Sequence, residues 1–138
     1  MIFETTQGVI VLECYPEAAP IHVANLVGFA KSGGYNGLPW HRVVSGFVIQ
    51  GADPDGSGWG DAGYSLRAEI NEIPFDRGFV GMPRSQSFDS GGVQIFITHV
   101  PTPRLDGLYT VFARVISGMD VVDRIEVGDT ILKVRVRE

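Results

Sequence analysis

The sequence predicts a mainly β protein, a closed antiparallel barrel with a helix over each open end. Short runs of β-branched and aromatic residues recur along the 138-residue chain, bounded by glycine, proline or small polar residues. The 18 glycines and 8 prolines are scattered between those runs, which fits many turns around a sheet and not a disordered tail. Only two stretches have helical spacing, and closing many short strands on themselves removes exposed edges. Periodicity alone does not exclude a sandwich of two sheets.

In chain order, residues 2–4 and 9–14 form an opening hairpin through Thr5-Thr6-Gln7-Gly8. Residues 18–31 form the first helix, because Val23, Leu26, Val27 and Ala30 recur at three- and four-residue spacing while Asn25 lies off that stripe. Pro16 and Pro20 suit a first helical turn, and Gly33 or Gly34 can take the left-handed cap that ends it. Residues 40–53 read as strand, tight bend at Ser45-Gly46, strand. The loop from Asp53 to Gly63 superficially resembles a calcium loop, but its twelfth position is Tyr64 instead of a bidentate glutamate, so that reading is rejected. Residues 79–82, 93–98 and 110–115 are further strands, 117–125 a second short helix and 131–136 the closing strand. In that last strand Lys133, Arg135 and Arg137 alternate with Val134 and Val136, so the charges form its solvent face.

A chain of this length fits a single domain over residues 1–138 and is long enough to bury roughly two thirds of its unfolded surface. The net charge of -5 argues against a nucleic-acid binder driven by phosphate neutralisation. No apolar run approaches the roughly 18 residues of a membrane span, and no positive leader is present, so the cytoplasm is the expected location. Cys14 is the only cysteine, which excludes an internal disulfide and a thiolate metal cluster; it is expected as a small buried side chain. Without a heptad pattern or a long apolar face, a monomer is expected.

The most informative stretch is Trp40-His41-Arg42-Val43-Val44-Ser45-Gly46-Phe47-Val48-Ile49-Gln50-Gly51-Ala52-Asp53. Arg42 and Gln50 are the polar exceptions in its apolar strands. A guanidinium beside a pocket-forming phenylalanine suits a ligand with an apolar ring and a carbonyl oxygen, and a prolyl peptide has both. Two further blocks are Gly78 to Gln86 continuing through Asp89 to Thr98, and Leu105-Asp106-Gly107-Leu108-Tyr109-Thr110-Val111-Phe112. In order and spacing the three blocks resemble the cyclophilins, the peptidyl-prolyl cis-trans isomerases that cyclosporin inhibits, in their short single-domain form. The resemblance runs nearly end to end. It selects the barrel over the sandwich, with eight strands, two capping helices, a packed interior and a ligand groove on the outer wall.

The resemblance implies an enzyme acting on Xaa-Pro bonds of peptides and folding proteins. Peptide-bond rotation meets a barrier of about 18–20 kcal/mol because nitrogen shares its lone pair with the carbonyl. Lowering that sharing lets the bond turn, so an arginine, hydrogen-bonding groups and an apolar cup are chemically sufficient, and no metal or cofactor is required. Carried over by position, Arg42 is the electrostatic catalyst. Phe47, Val48, Phe96 and Leu105 line the proline pocket, Gln50 and Gln94 bind the peptide backbone, and Tyr109 gives the pocket a polar rim. Because Ile95, Phe96 and Ile97 are consecutive, Phe96 is expected to point outward and its neighbours inward. Simple alternation puts Phe47 and Gln50 on opposite faces, so a bulge or twist is expected between them.

Three positions depart from the family's usual residues. Pro83 and Arg84 stand where many relatives have alanine and asparagine, at positions that hold substrate through the backbone. A carbonyl contact survives at Pro83, whereas a donor contact is lost. Arg104 stands where the best-known cyclosporin-sensitive members carry tryptophan, so weak cyclosporin binding is expected. Two other classes compete with the isomerase. One is a module that binds proline segments without turning them, and the presence of Arg42 argues for catalysis instead. The other is a serine hydrolase, suggested by Asp89-Ser90-Gly91-Gly92 with His22, His41 and His99, but so short a string is a weak signal.

Overall fold

The structure is a computed structural model, and it describes residues 1–54, 64–85, 87 and 91–137. The glycine-rich loop residues 55–63, together with Gln86, Asp89 and Ser90 of the second sequence block, lie outside the described residues. Its elements are β1 (Ile2–Thr5), β2 (Gly8–Cys14), α1 (Pro20–Lys31), β3 (Arg42–Val44), β4 (Val48–Gly51), β5 (Phe79–Gly81), β6 (Ile95–Thr98), a 3-10 turn (Pro103–Leu105), β7 (Val111–Ser117), α2 (Met119–Arg124) and β8 (Ile131–Arg135).

The eight strands make one antiparallel sheet in the order β3-β4-β6-β5-β7-β2-β1-β8. The expected closed barrel is corrected to an open, curled half-barrel, because β3 and β8 are the free ends of the ladder. Between them lies one isolated bridge, Pro39 to Thr130, with backbone bonds from Gly37 N and Trp40 N to Ile131 O and Asp129 O, and from Ile131 N to Leu38 O. The residues that face β8 are those preceding β3, and Pro39 among them turns its carbonyl the other way, to Ala52 N at 3.3 Å. These few bonds join residues 37–40 to residues 129–131, and β3 and β8 themselves do not pair.

Alternation along the strands sorts the apolar residues onto two faces. Phe3, Ile10, Leu12, Ile49, Ile95, Ile97 and Phe112 enter the main core, which α1 covers with Val23, Leu26 and Ala30. Val48, Phe75, Phe96 and Val111 form a second, smaller cluster on the other face. Helix α1 starts at Pro20, two residues later than the spacing suggested, and it also buries His22, which the apolar stripe had passed over. Gly33 takes φ +79 just beyond its end. Cys14 is half-buried against the main core, and burial raises its thiol pKa.

At the far end of β7 the chain turns into α2 through Gly118, at φ +94. A Cβ there would collide with the carbonyl oxygen of Val9 and lie 3.0 Å from Cα of Ile10. Only glycine lets β7 reach β2 and then turn. Helix α2 is six residues long, shorter than expected, and buries Val121 and Val122.

Candidate active site

The site is built on one row of the sheet. In the β3–β4 hairpin Arg42 pairs with Gln50; in the next ladder Gln50 pairs with Phe96; and Phe96 in turn pairs with Gly81 on β5. Four strands thus bring an arginine, an amide, an aromatic ring and a glycine side by side. Val48, two residues before Gln50, shares that face. Gly81 has no side chain for a steric reason: a Cβ would run into the Phe96 ring and lie 2.7 Å from the Phe75 ring.

Phe47 is not on a strand. It ends the three-residue loop 45–47 between β3 and β4, in which Gly46 has φ +74. Its backbone is fixed from both sides, with its N–H donating to Val44 O at 3.0 Å and its carbonyl accepting from His99 N at 2.7 Å. Strand alternation therefore does not govern its direction, and no bulge is needed to bring it beside Gln50. This corrects the expected bulge.

The aromatic floor is layered. Phe96 stacks on Phe75 at 5.3 Å between centroids and meets the Tyr109 ring edge-on at 5.8 Å. Phe75 also positions the opposite wall: its N–H donates to Asp106 Oδ1 at 2.8 Å and its carbonyl accepts from Thr102 N at 2.7 Å. Those two bonds bracket the 3-10 turn and carry Leu105 to the pocket. Arg84 donates from Nε and Nη2 to Leu108 O at 3.1 and 2.8 Å and stacks over Tyr109 at 4.5 Å, which steadies that rim.

The polar edge has a fixed direction. Arg42 Nη1 donates to Gln50 Oε1 at 3.2 Å, and because a guanidinium can only donate, the Gln50 amide must turn its NH₂ the other way. That Nε2 donates to Gln94 Oε1 at 3.1 Å. Arg42 is exposed, with its guanidinium 5.8 Å from the Phe47 centroid and on the pocket wall. His41 beside it is held below the usual histidine pKa, first by burial and then by the Arg42 charge, against an opposing pull from Asp53. The imidazole therefore stays neutral near pH 7 and adds no competing charge.

These residues enclose a pocket of about 150 Å³, lined by Arg42, Phe47, Val48, Gln50, Pro83, Arg84, Phe96, Leu105 and Tyr109. One apolar ring fits such a space, with donors at one edge for a carbonyl. The cyclophilin type peptidyl-prolyl cis-trans isomerase family model matches residues 1–138. The chain belongs to this family. The cyclophilin is 43% identical over 129 residues to peptidyl-prolyl cis-trans isomerase B of Bacillus subtilis, covering 92% of this chain and 90% of that one. It is 40% identical over 137 residues to a peptidyl-prolyl cis-trans isomerase of Synechococcus elongatus, covering 98% and 94%. Among solved structures, a Cryptosporidium parvum cyclophilin crystallised in the presence of the dipeptide Ala-Pro superposes with a TM-score of 0.92 at 27% identity, covering 99% of this chain and 98% of that one.

Of the ten residues the resemblance assigned to catalysis and substrate binding, all but Gln94 line this cyclophilin's pocket, and Gln94 touches it through Gln50. Phe96 faces the pocket while Ile95 and Ile97 face the main core. Phe112 is fully buried in that core. The sequence did not reveal Phe75, Gly81 or Asp106. Phe75 had a weak signal, an isolated aromatic after Pro74; Gly81 and Asp106 act through contacts distant in sequence. Of the histidines named for a hydrolase, His22 is 1% exposed and its Nδ1 is bonded to Glu69. Ser90 lies outside the described residues.

Proposed function

We propose that the pocket takes the prolyl ring of an Xaa-Pro segment and that Arg42 accelerates its cis-trans rotation. The ring rests on Phe96 between Phe47, Val48 and Leu105, with Tyr109 at the rim. Gln50 and Gln94 hold the peptide backbone. The Arg42 guanidinium reaches the prolyl nitrogen or the carbonyl before it, and stabilises a pyramidal nitrogen more than a planar one. The observation that carries this is the Arg42 to Gln50 to Gln94 chain along the mouth of an aromatic cup. Permanent positive charge at that edge acts on a developing lone pair without any proton transfer.

The substrates are Xaa-Pro peptides and folding proteins, supported by the Ala-Pro dipeptide named with the Cryptosporidium structure. We read the chain as a single domain working as a cytoplasmic monomer; no helix among the described residues is long and apolar enough to cross a membrane. Pro83 lines the pocket and can offer only its carbonyl to a substrate. Weak cyclosporin binding is expected from Arg104, which stacks a charged group on Phe47 where an indole contact would lie. A titration giving tight, low-nanomolar inhibition would overturn that expectation.

The deciding test is exchange NMR on a short Xaa-Pro peptide with wild type and Arg42→Ala at matched concentration. Wild type should speed an exchange that otherwise takes tens to hundreds of seconds. The variant should retain peptide-induced shifts and lose about 100- to 1,000-fold in kcat. Peptide shifts without acceleration in wild type would mark a proline-binding module instead, and parallel loss of affinity and rate in Arg42→Ala would make Arg42 a binding residue.

A further inference from the structure

The Phe47 ring carries two guanidinium groups. Arg104 stacks on it at 4.5 Å and Arg42 stands 5.8 Å from its centroid. Arg104 is the exposed middle residue of the 3-10 turn, next to Leu105 of the pocket wall. Neither arginine forms an ion pair among the described residues, whereas Arg77, Arg114, Arg124 and Arg135 all do. The nearest acid in sequence, Asp106, turns its Oδ1 to the Phe75 backbone. Among the described residues no carboxylate lines the pocket. On a chain of net charge -5, this is a local reversal of sign at the place where a peptide must enter.

From this arrangement we infer that Arg104, with Arg42, selects Xaa-Pro segments that carry an acidic side chain within a residue or two of the proline. The inference rests on the proposed use of the pocket by prolyl peptides. Arg42 is engaged with the reacting bond, so Arg104 is the group left to meet a carboxylate on the flanking residue. Stacking on Phe47 holds its planar fork at the pocket mouth, and a fork of N–H donors matches a carboxylate in two places. At an exposed rim such a pair is worth about a two- to fivefold preference per unit of charge, and salt screens it.

The test uses three peptides of one sequence in which the residues flanking Ala-Pro are Glu, Gln or Lys. For each, kcat/KM is measured by exchange NMR and Kd by peptide titration. Rates should fall in the order Glu, Gln, Lys by about two- to fivefold a step at low ionic strength. The spread should collapse towards 1 M salt, where the screening length is roughly 3 Å. Arg104→Gln should remove most of the Glu-to-Lys ratio, which spans two such steps, and Arg104→Lys should keep most of it, each ratio being taken within one protein. Equal rates for the Glu and Lys peptides, or a ratio unchanged in Arg104→Gln, would overturn the inference while leaving the isomerase reading intact. If no peptide is turned over but Kd follows the same charge order, the isomerase reading falls and the selection by Arg104 stands.

Discussion

At the scale of single residues, the pocket depends on an atom that is missing. Gly81 has an ordinary backbone φ, so its role is not conformational freedom but space, and both aromatic rings of the floor occupy the volume of its absent Cβ. Gly81→Ala must therefore displace Phe96, which is 4% exposed, and Phe75, which is 1% exposed, out of their stack. Overpacking of this kind costs about 1–3 kcal/mol. Since Phe96 faces the ligand, the same shift should narrow the pocket. Urea unfolding and peptide titration on Gly81→Ala should show both a loss of stability and a raised KM. A variant as tight-binding as wild type would mean the rings relax elsewhere. Arg42 is a contrasting case, because it is exposed and its removal should cost turnover with little change in stability.

At the scale of elements, α1 shows how much of this fold was legible in the sequence. Its stripe of Val23, Leu26 and Ala30 identified the helix and its buried face, because apolar spacing is a local property. What holds its start is not local. Ala19 offers no side-chain cap, and Glu69, from the segment between β4 and β5, accepts from Ile21 N at 3.1 Å, His22 N at 2.7 Å and His22 Nδ1. A carboxylate 47 residues away thus does the work of an N-cap, and no spacing rule reports it. The site follows the same division. Arg42, Phe47, Val48 and Gln50, carried over from the family resemblance, lie on one hairpin, while Phe75 and Asp106 meet only through a long-range bond from the Phe75 N–H to Asp106 Oδ1. Barrel closure was misread for a related reason: strand patterning does not report which edge strands pair, and here residues 37–40, not β3 itself, meet the start of β8. Glu69→Ala leaves the first-turn donors and a ring that is 1% exposed without their acceptor, so it should cost about 1–3 kcal/mol. Hydrogen exchange should show the loss of protection concentrated in the first turn of α1; protection unchanged there would show that water or a neighbour replaces the carboxylate.

At the scale of the whole molecule, several carboxylates tie together segments far apart in the chain. Asp129 accepts from the Glu126 backbone and from Thr6 and Gln7 of the first hairpin, and those bonds lower its pKa, the Glu126 bond most. Asp123 is lowered mainly by its hydrogen bond from Arg77, which also reaches His99 O, so β7–α2 is tied to the segments before β5 and after β6. At Glu69 burial pulls upward, but the bonds from His22 and Ile21 outweigh it and the pKa falls. For each of these acids the folded pKa lies below the unfolded one. Their stabilisation is therefore complete above the ordinary values, 3.8 for aspartate and 4.5 for glutamate, and is lost as pH falls through the depressed ones. His41 acts earlier. Its folded pKa lies below 6.5, so the unfolded chain takes up a proton first and stability begins to fall below that pH. Thermal unfolding followed by circular dichroism should accordingly show a shallow decline below about pH 6.5 and a steeper one below about pH 4.5. Asp129→Asn should flatten part of the steep stage and leave the shallow one unchanged. A midpoint constant from pH 7 to pH 3 would mean that these acids are as well solvated in the folded chain as in the unfolded one, and that the ties they make contribute nothing to stability.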